Sequence, residues 1–236
     1  MRRYLIPAAI SQGLLALLLL SGCAKTTMTE GQSYQGAPLA RPTRILVYDF
    51  APNAAELPPG YSPAVDAPSA DQTADDQTLG RKLGAEIAQN LVAELQQAGL
   101  PAVGAAGQPP LQLNDIAIVG YFVSIDSGSL TKRVAIGFGS GAAELKTVVE
   151  VYVMSAQGLR RLGSGELSSE GPKGPGEVLP IALTVATANP IGLIVSSAAK
   201  VEGEVSGRTT IEGSAKRTAK EIGDKLKAAA QRQGWI

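Results

Sequence analysis

Between Leu145 and Met154 the side chains change character at nearly every step. Leu145, Thr147, Val149, Val151 and Val153 share one parity, and Lys146, Val148, Glu150, Tyr152 and Met154 share the other. A period of two places each set on its own side of a pleated backbone, so this run predicts a half-buried strand. Ile116 to Asp126 (IAIVGYFVSID) is apolar at both parities through its first half, which predicts a strand covered on both faces in the middle of a sheet. Arg44 to Phe50 (RILVYDF), bounded by Pro42 and Pro52, predicts a further short strand. Gln157-Gly158 predicts a hairpin turn into a strand over residues 159–170.

Elsewhere the period lengthens. After Leu79, the apolar residues Leu83, Ile87, Leu91 and Leu95 recur at every fourth position until Gly99 and Pro101 stop them. With Ser69 and Gln72 resembling a capping box, the spacing predicts an amphipathic helix over about 72–98. Ile211, Ala215, Ala219, Ile222, Leu226 and Ala230 predict a closing helix that runs to about Gln233. Residues 51–70, rich in Pro and Ala, read as a loop. The order β-α-β-β-β-α predicts an α+β (α/β-like) fold, a small mixed sheet of about four strands covered by two or three helices.

Ahead of these elements, Arg2 and Arg3 are followed by an apolar run from Leu14 to Leu20 and by two small residues, Ser21 and Gly22. This is the layout of a secretory signal, and its apolar stretch is shorter than the roughly 20 residues of a membrane-spanning helix. Residues 1–22 therefore read as a cleaved signal peptide. Leu20-Ser21-Gly22-Cys23 also has the order of a bacterial lipobox, with cleavage between Gly22 and Cys23 and acyl chains on Cys23, the sole cysteine. Acyl chains contribute about 0.8 kcal/mol per buried CH₂, so two or more anchor a protein stably. Ala24 stands where inner-membrane lipoproteins usually carry aspartate, which favours a lipid anchor in the outer membrane with the domain facing the periplasm. Residues 23–40 are small, polar and punctuated by Gly and Pro, and read as a lipidated flexible tether to a single domain at 41–236.

Composition narrows the chemistry. Histidine is absent and the one cysteine is assigned to lipid, so Cys/His zinc sites, Ser-His-Asp triads, Cys-His nucleophiles and disulfides are all excluded, and no metal site is expected. The 21 basic residues, less Arg2 and Arg3, against 21 acidic ones give a mature net charge of about −2, which provides no field for nucleic acid.

Three stretches could still carry function. In RVAIGFGSGAAEL, Gly137, Gly139 and Ala142 fit G-x-G-x-x-A, but the next residues alternate as a strand where a dinucleotide loop needs a helix. The glycines then read as a hairpin or bulge, or as an interaction loop presenting Gly137, Gly139 and Gly141. Ser-x-x-Lys occurs twice, at Ser129–Lys132 and Ser197–Lys200, without its companion motifs, which marks it as chance. The acids Asp49, Asp126 and Glu144 fall at strand ends, the ordinary place for a solvated carboxylate. Residues 178–199 (VLPIALTVATANPIGLIVSSAA) are uncharged but broken by Pro180, Pro190 and Gly192. They form an apolar appendage, as short helices on the sheet, as a membrane-contacting or self-associating segment, or as a span. In the closing helix Lys216, Arg217, Lys220, Lys225, Lys227 and Arg232 read as a solvated face, or as a contact for an anionic partner.

RPTRILVYDFA, LVAELQQAGLPA, IVGYFVSIDSG, RVAIGFGSGAAEL and the final Gly-Trp together resemble the bacterial lipoprotein family known as domain of unknown function 4410. That family has no assigned activity, so the resemblance implies no catalytic residue. More distantly the chain is similar to the curli-secretion-channel lipoproteins and to the TolB amino-terminal domain, which implies an α/β core. In the channel family the region after the central strand forms membrane hairpins, and Arg133 to Leu145 is too short for two of them. The expectation is a non-enzymatic, periplasm-facing lipoprotein, without cofactor, that binds a protein partner or itself in envelope assembly. A peptidoglycan- or small-ligand-binding module and a subunit of an oligomeric secretion pore stay open as alternatives.

Overall fold

The computed structural model describes residues 25–63, 72–126, 143–170 and 210–236. Its strands are β1 (Lys25–Gln32), β2 (Ile45–Val47), β3 (Ala102–Gly104), β4 (Ile116–Asp126), β5 (Glu144–Ser155) and β6 (Gly158–Glu170). Its two α-helices are α1 (Ala74–Gln97) and α2 (Ile211–Arg232). The strands form one mixed sheet in the order β1-β6-β5-β4-β2-β3. β2 runs parallel to both β3 and β4, whereas β4, β5, β6 and β1 pair antiparallel. Helix α1 supplies the crossover that a parallel β2–β3 pair requires.

The register explains the apolar patterns. Ile116, Ile118 and Phe122 of β4 stand opposite Val153, Val151 and Thr147 of β5, on the face that both helices cover. Ala117, Val119 and Tyr121 point the other way and are buried too, as expected of an interior strand. The buried side of α1 is Leu83, Ile87, Leu91 and Leu95, each at most 1% exposed. In α2, Ile211, Ala215, Ala219 and Ile222 enter the same core. Small residues in α2 bring the two helices close: a Cβ on Gly223 would lie 3.0 Å from the Glu94 Cβ of α1.

Phe50, just beyond β2, ties the layers together. Its backbone lies against Gly84 of α1, where a Cβ would fall 1.9 Å from the Phe50 carbonyl oxygen. Its ring covers Gly120 of β4, where a Cβ would fall 2.2 Å from Phe50 Cε1. Only glycine permits both approaches.

Four expectations are corrected. The sheet has six strands among the described residues, not about four, so the order β-α-β-β-β-α gains a strand before its first member and another after α1. β3 is three residues long, too short to display a period. β1 (KTTMTEGQ) has a single apolar residue, Met28, and is held by its ladder with β6 and by the bond between Thr26 Oγ1 and Ser169 Oγ at 2.8 Å. Residues 23–40 are therefore not a tether throughout: β1 takes up 25–32, Tyr34 and Leu39 pack on the core, and the folded part begins before Arg41. The helix cap also moves. Thr73 caps α1, accepting from Asp76 N at 3.2 Å while Asp76 Oδ2 accepts from Thr73 N at 3.0 Å. A single turn of 3-10 helix, Ala54–Glu56, lies in the stretch read as loop.

Candidate functional site

Between the sheet and the C-terminal half of α2 lies a partly open cavity of about 180 Å³. Its floor is Ile116 and Ile118 of β4, Val149 and Val151 of β5, and Leu162 of β6. Leu95 and Leu100 close one side, and Ile222, Leu226 and Ala229 of α2 another. The remaining wall is the link between β1 and β2, through Tyr34 and Leu39. That link is fixed in place. Gln233 Oε1 accepts from Leu39 N at 2.7 Å, and Trp235 Nε1 donates to Leu39 O at 3.0 Å. Arg160 stands 5.3 Å from the centre of the Tyr34 ring, a favourable cation–π contact. Exposed Lys225 and Arg232 mark the rim, and none of the described residues that line the cavity is acidic.

The opposite face of the sheet carries a different cluster. Tyr48, Tyr61 and Tyr152 meet edge to face, with centroids 5.5 Å and 5.0 Å apart. Residues 52–63 fold over this face, and Leu57 and Tyr61 cover Ala117, Val119 and Tyr152. Beneath them Glu150 is fully buried; its Oε2 accepts from the Tyr152 hydroxyl and lies 3.7 Å from Arg161 Nη1. The Tyr152 hydroxyl is also 3.2 Å from Ser62 O, but a phenol has one proton and the carboxylate is nearer. Burial, followed by the bond to Glu150, pushes the Tyr152 phenol up to about 12. Burial, followed by the hydrogen bond with Tyr48, raises the Tyr61 phenol as well. At neutral pH both phenols are protonated: Tyr152 donates to Glu150, and Tyr61 holds the 52–63 segment on the sheet through its edge-to-face contacts with Tyr48 and Tyr152.

A second buried ion pair stands at the start of β4. Asp115, 1% exposed, accepts from Arg44 Nε at 3.1 Å and from Gln112 N at 2.9 Å, and forms a further close contact with Arg44 Nη2. It joins the entry to β2 to the entry to β4.

Of the residues singled out from sequence, those that are described are not gathered into one place. Gly22, Cys23, Gly137, Gly139, Gly141, the apolar segment 178–199 and both Ser-x-x-Lys matches lie outside the described residues. Asp126 and Glu144 are cross-strand partners at one end of β4 and β5, and Glu144 Oε1 lies 3.4 Å from Lys146 Nζ. Asp49 is exposed beyond β2. The basic face of α2 divides: Lys220 pairs with Asp224 at 2.6 Å, Arg217 Nη2 donates to Ser214 Oγ at 2.9 Å, and Lys225 and Arg232 stand at the cavity. Among the described residues no group of three or more His, Cys, Asp or Glu could hold a metal ion, and no helix is long and apolar enough to cross a membrane.

The family described as "Domain of unknown function (DUF4410)" matches residues 45–188, more than half of the chain. The protein belongs to this family. The DUF4410 match runs from β2 through β6, so it takes in the floor of the cavity but neither β1 nor α2, which supply its walls. No curated protein matches the chain. Among solved structures it is similar to the PelC dodecamer from Paraburkholderia phytofirmans, with 15% identity and a TM-score of 0.36, covering 64% of this chain and 86% of that one. A variant PelC dodecamer from the same organism has 14% identity and a TM-score of 0.33, covering 65% and 84%.

Proposed function

We propose that this DUF4410 protein is a lipid-anchored, periplasm-facing component of the outer membrane whose domain is a non-enzymatic protein-interaction or assembly module. The anchor rests on the order of positive start, apolar run and Leu20-Ser21-Gly22-Cys23, and the outer-membrane address on Ala24. The interaction role rests on one observation. β1, eight residues long, forms an edge of the sheet, and its outer side meets no strand among the described residues. Such an edge presents backbone donors and acceptors to a strand of another chain. The Tyr152–Glu150–Arg161 set supports a role without catalysis, because its carboxylate is engaged and its phenol stays protonated.

The test is the mass of the detergent-solubilised full-length protein by light scattering, with crosslinking in intact cells. The expected result is a discrete oligomer, or a reproducible adduct with one envelope protein, that is lost in Thr27→Lys/Thr29→Lys. Both threonines are exposed, and added lysines block edge pairing without touching the core. A monomer that forms no adduct, or an assembly unchanged by the lysines, would overturn the proposal.

A further inference from the structure

We infer that the link from the lipid anchor to the fold is too short to act as a tether, so that one end of the sheet, where β1, β4, β5 and β6 lie side by side, is held on the membrane surface. β1 begins at Lys25, two residues after Cys23. Two residues of fully extended chain span at most about 7 Å, roughly the depth of one headgroup layer. In the ladder Lys25 stands opposite Glu170 of β6, Glu170 opposite Glu144 of β5, and Glu144 opposite Asp126 of β4, so these four positions form one row across the end of the sheet. Both helices start at this end. A Cβ on Gly80 of α1 would fall 3.2 Å from Ile125 Cδ1 of β4, and Glu212 in the first turn of α2 lies 3.4 Å from Lys82 of α1. The row is also bound to α2, since Arg217 Nη2 donates to Glu170 O at 3.3 Å and Ser169 Oγ donates to Ser214 O at 3.2 Å. An anchor at the start of β1 therefore fixes the whole base of the domain. The hairpin turn at Gln157 stands at the other end, because β6, Gly158–Glu170, spans about 40 Å. Lying along β1 instead would press the N–H and C=O groups of its outer edge on lipid, which costs free energy for every group left unpaired. The edge thus rises from the bilayer. The inference rests on the lipid-anchor part of the proposed function and adds which surface of the domain meets the membrane.

The experiment uses the full-length protein, processed by the cell, purified from its membranes and reconstituted in vesicles of phosphatidylethanolamine and phosphatidylglycerol. Cys23 is the only cysteine, so with lipid on its sulfur the parent should take up no thiol-reactive bimane, and an introduced cysteine should take up all of it. Glu144→Cys places the dye in the base row, and Gln157→Cys places it at the exposed far turn. Vesicle lipids that carry a nitroxide on the headgroup should quench the dye at 144 and leave the dye at 157 at its unquenched emission. Inserting about 20 Gly and Ser residues between Ala24 and Lys25 adds a coil with a reach of about 25 Å, which should relieve the quenching at 144. If Glu144→Cys does not fold, Lys146→Cys, on the same face of β5 and half-buried, takes its place. In a vesicle-bound protein, equal quenching at both positions, no quenching at 144, or quenching at 144 that survives the inserted linker would overturn the inference and leave the anchor standing. A parent that takes up bimane and does not float with the vesicles would overturn the anchor, and the inference with it.

Discussion

Replacing Gly84 by alanine adds one methyl group where α1 crosses the chain leaving β2. The new Cβ would lie 1.9 Å from Phe50 O, 2.9 Å from Phe50 C and 3.1 Å from Phe50 N. Ordinary van der Waals contact begins near 3.4 Å, so helix and strand must separate by more than an ångström. All three contacts are backbone, and Phe50 N also donates to Gly84 O at 3.3 Å, so no side-chain rotation relieves the clash. Phe50 is fixed from the other side as well, because its ring already lies on Gly120. Overpacking of a native core costs about 1–3 kcal/mol, occasionally more. A glycine-to-alanine change inside a helix returns up to about 1 kcal/mol. Because the obstruction is rigid, we expect the cost near or above the top of that range and a net loss of about 2–3 kcal/mol. Urea unfolding followed by circular dichroism measures it, with Gly104→Ala as control, since a Cβ there meets nothing within 4 Å. The control should stay within about 0.5 kcal/mol of the parent. A Gly84→Ala protein as stable as the parent would refute the close approach of α1 to β2.

Two further outcomes follow from the buried polar groups. Arg44→Ala leaves the Asp115 carboxylate buried without its cation and should cost about 3–5 kcal/mol by urea unfolding, most of it recovered in Arg44→Ala/Asp115→Asn; a loss below about 1 kcal/mol would mean that water reaches Asp115. Stability should also decline in alkali, because the unfolded Tyr152 phenol ionises near 10.0 whereas the folded one holds its proton to about 12. Its contribution is complete below pH 10 and is lost as pH rises through the folded value. Tyr152→Phe should make the decline shallower, and full phenolate absorbance near pH 10 in the folded protein would contradict the burial of this cluster.

The elements that could be read from sequence are those whose pattern is set by one dominant core. β4 spans Ile116–Asp126 as its doubly apolar run predicts, and β5, β6, α1 and α2 fall within a few residues of their expected limits. What escaped reading has a different physical origin. β1 is held by backbone pairing and hydroxyl contacts, which leave no apolar period, and its Thr-rich composition is also that of a linker. Glu150 and Tyr152 have the parity of a solvent-facing set, yet they are buried, because Leu57 and Tyr61 from an aperiodic Pro-rich stretch fold over them. The cavity depends on the meeting of β1, the link after it, and α2, separated by nearly the whole chain, so no local pattern signals it. Its two rim cations belong to a basic helix face that also carries Lys220, paired with Asp224, and the partly buried Arg217.

The proposed anchor is tested most directly by labelling cells that express the full-length protein with palmitate and separating their membranes. The expected result is palmitate on the protein, an outer-membrane fraction, a mature chain that begins at Cys23, and loss of all three in Cys23→Ala. An unlabelled protein, or a Cys23→Ala variant that keeps its label and its membrane fraction, would contradict it.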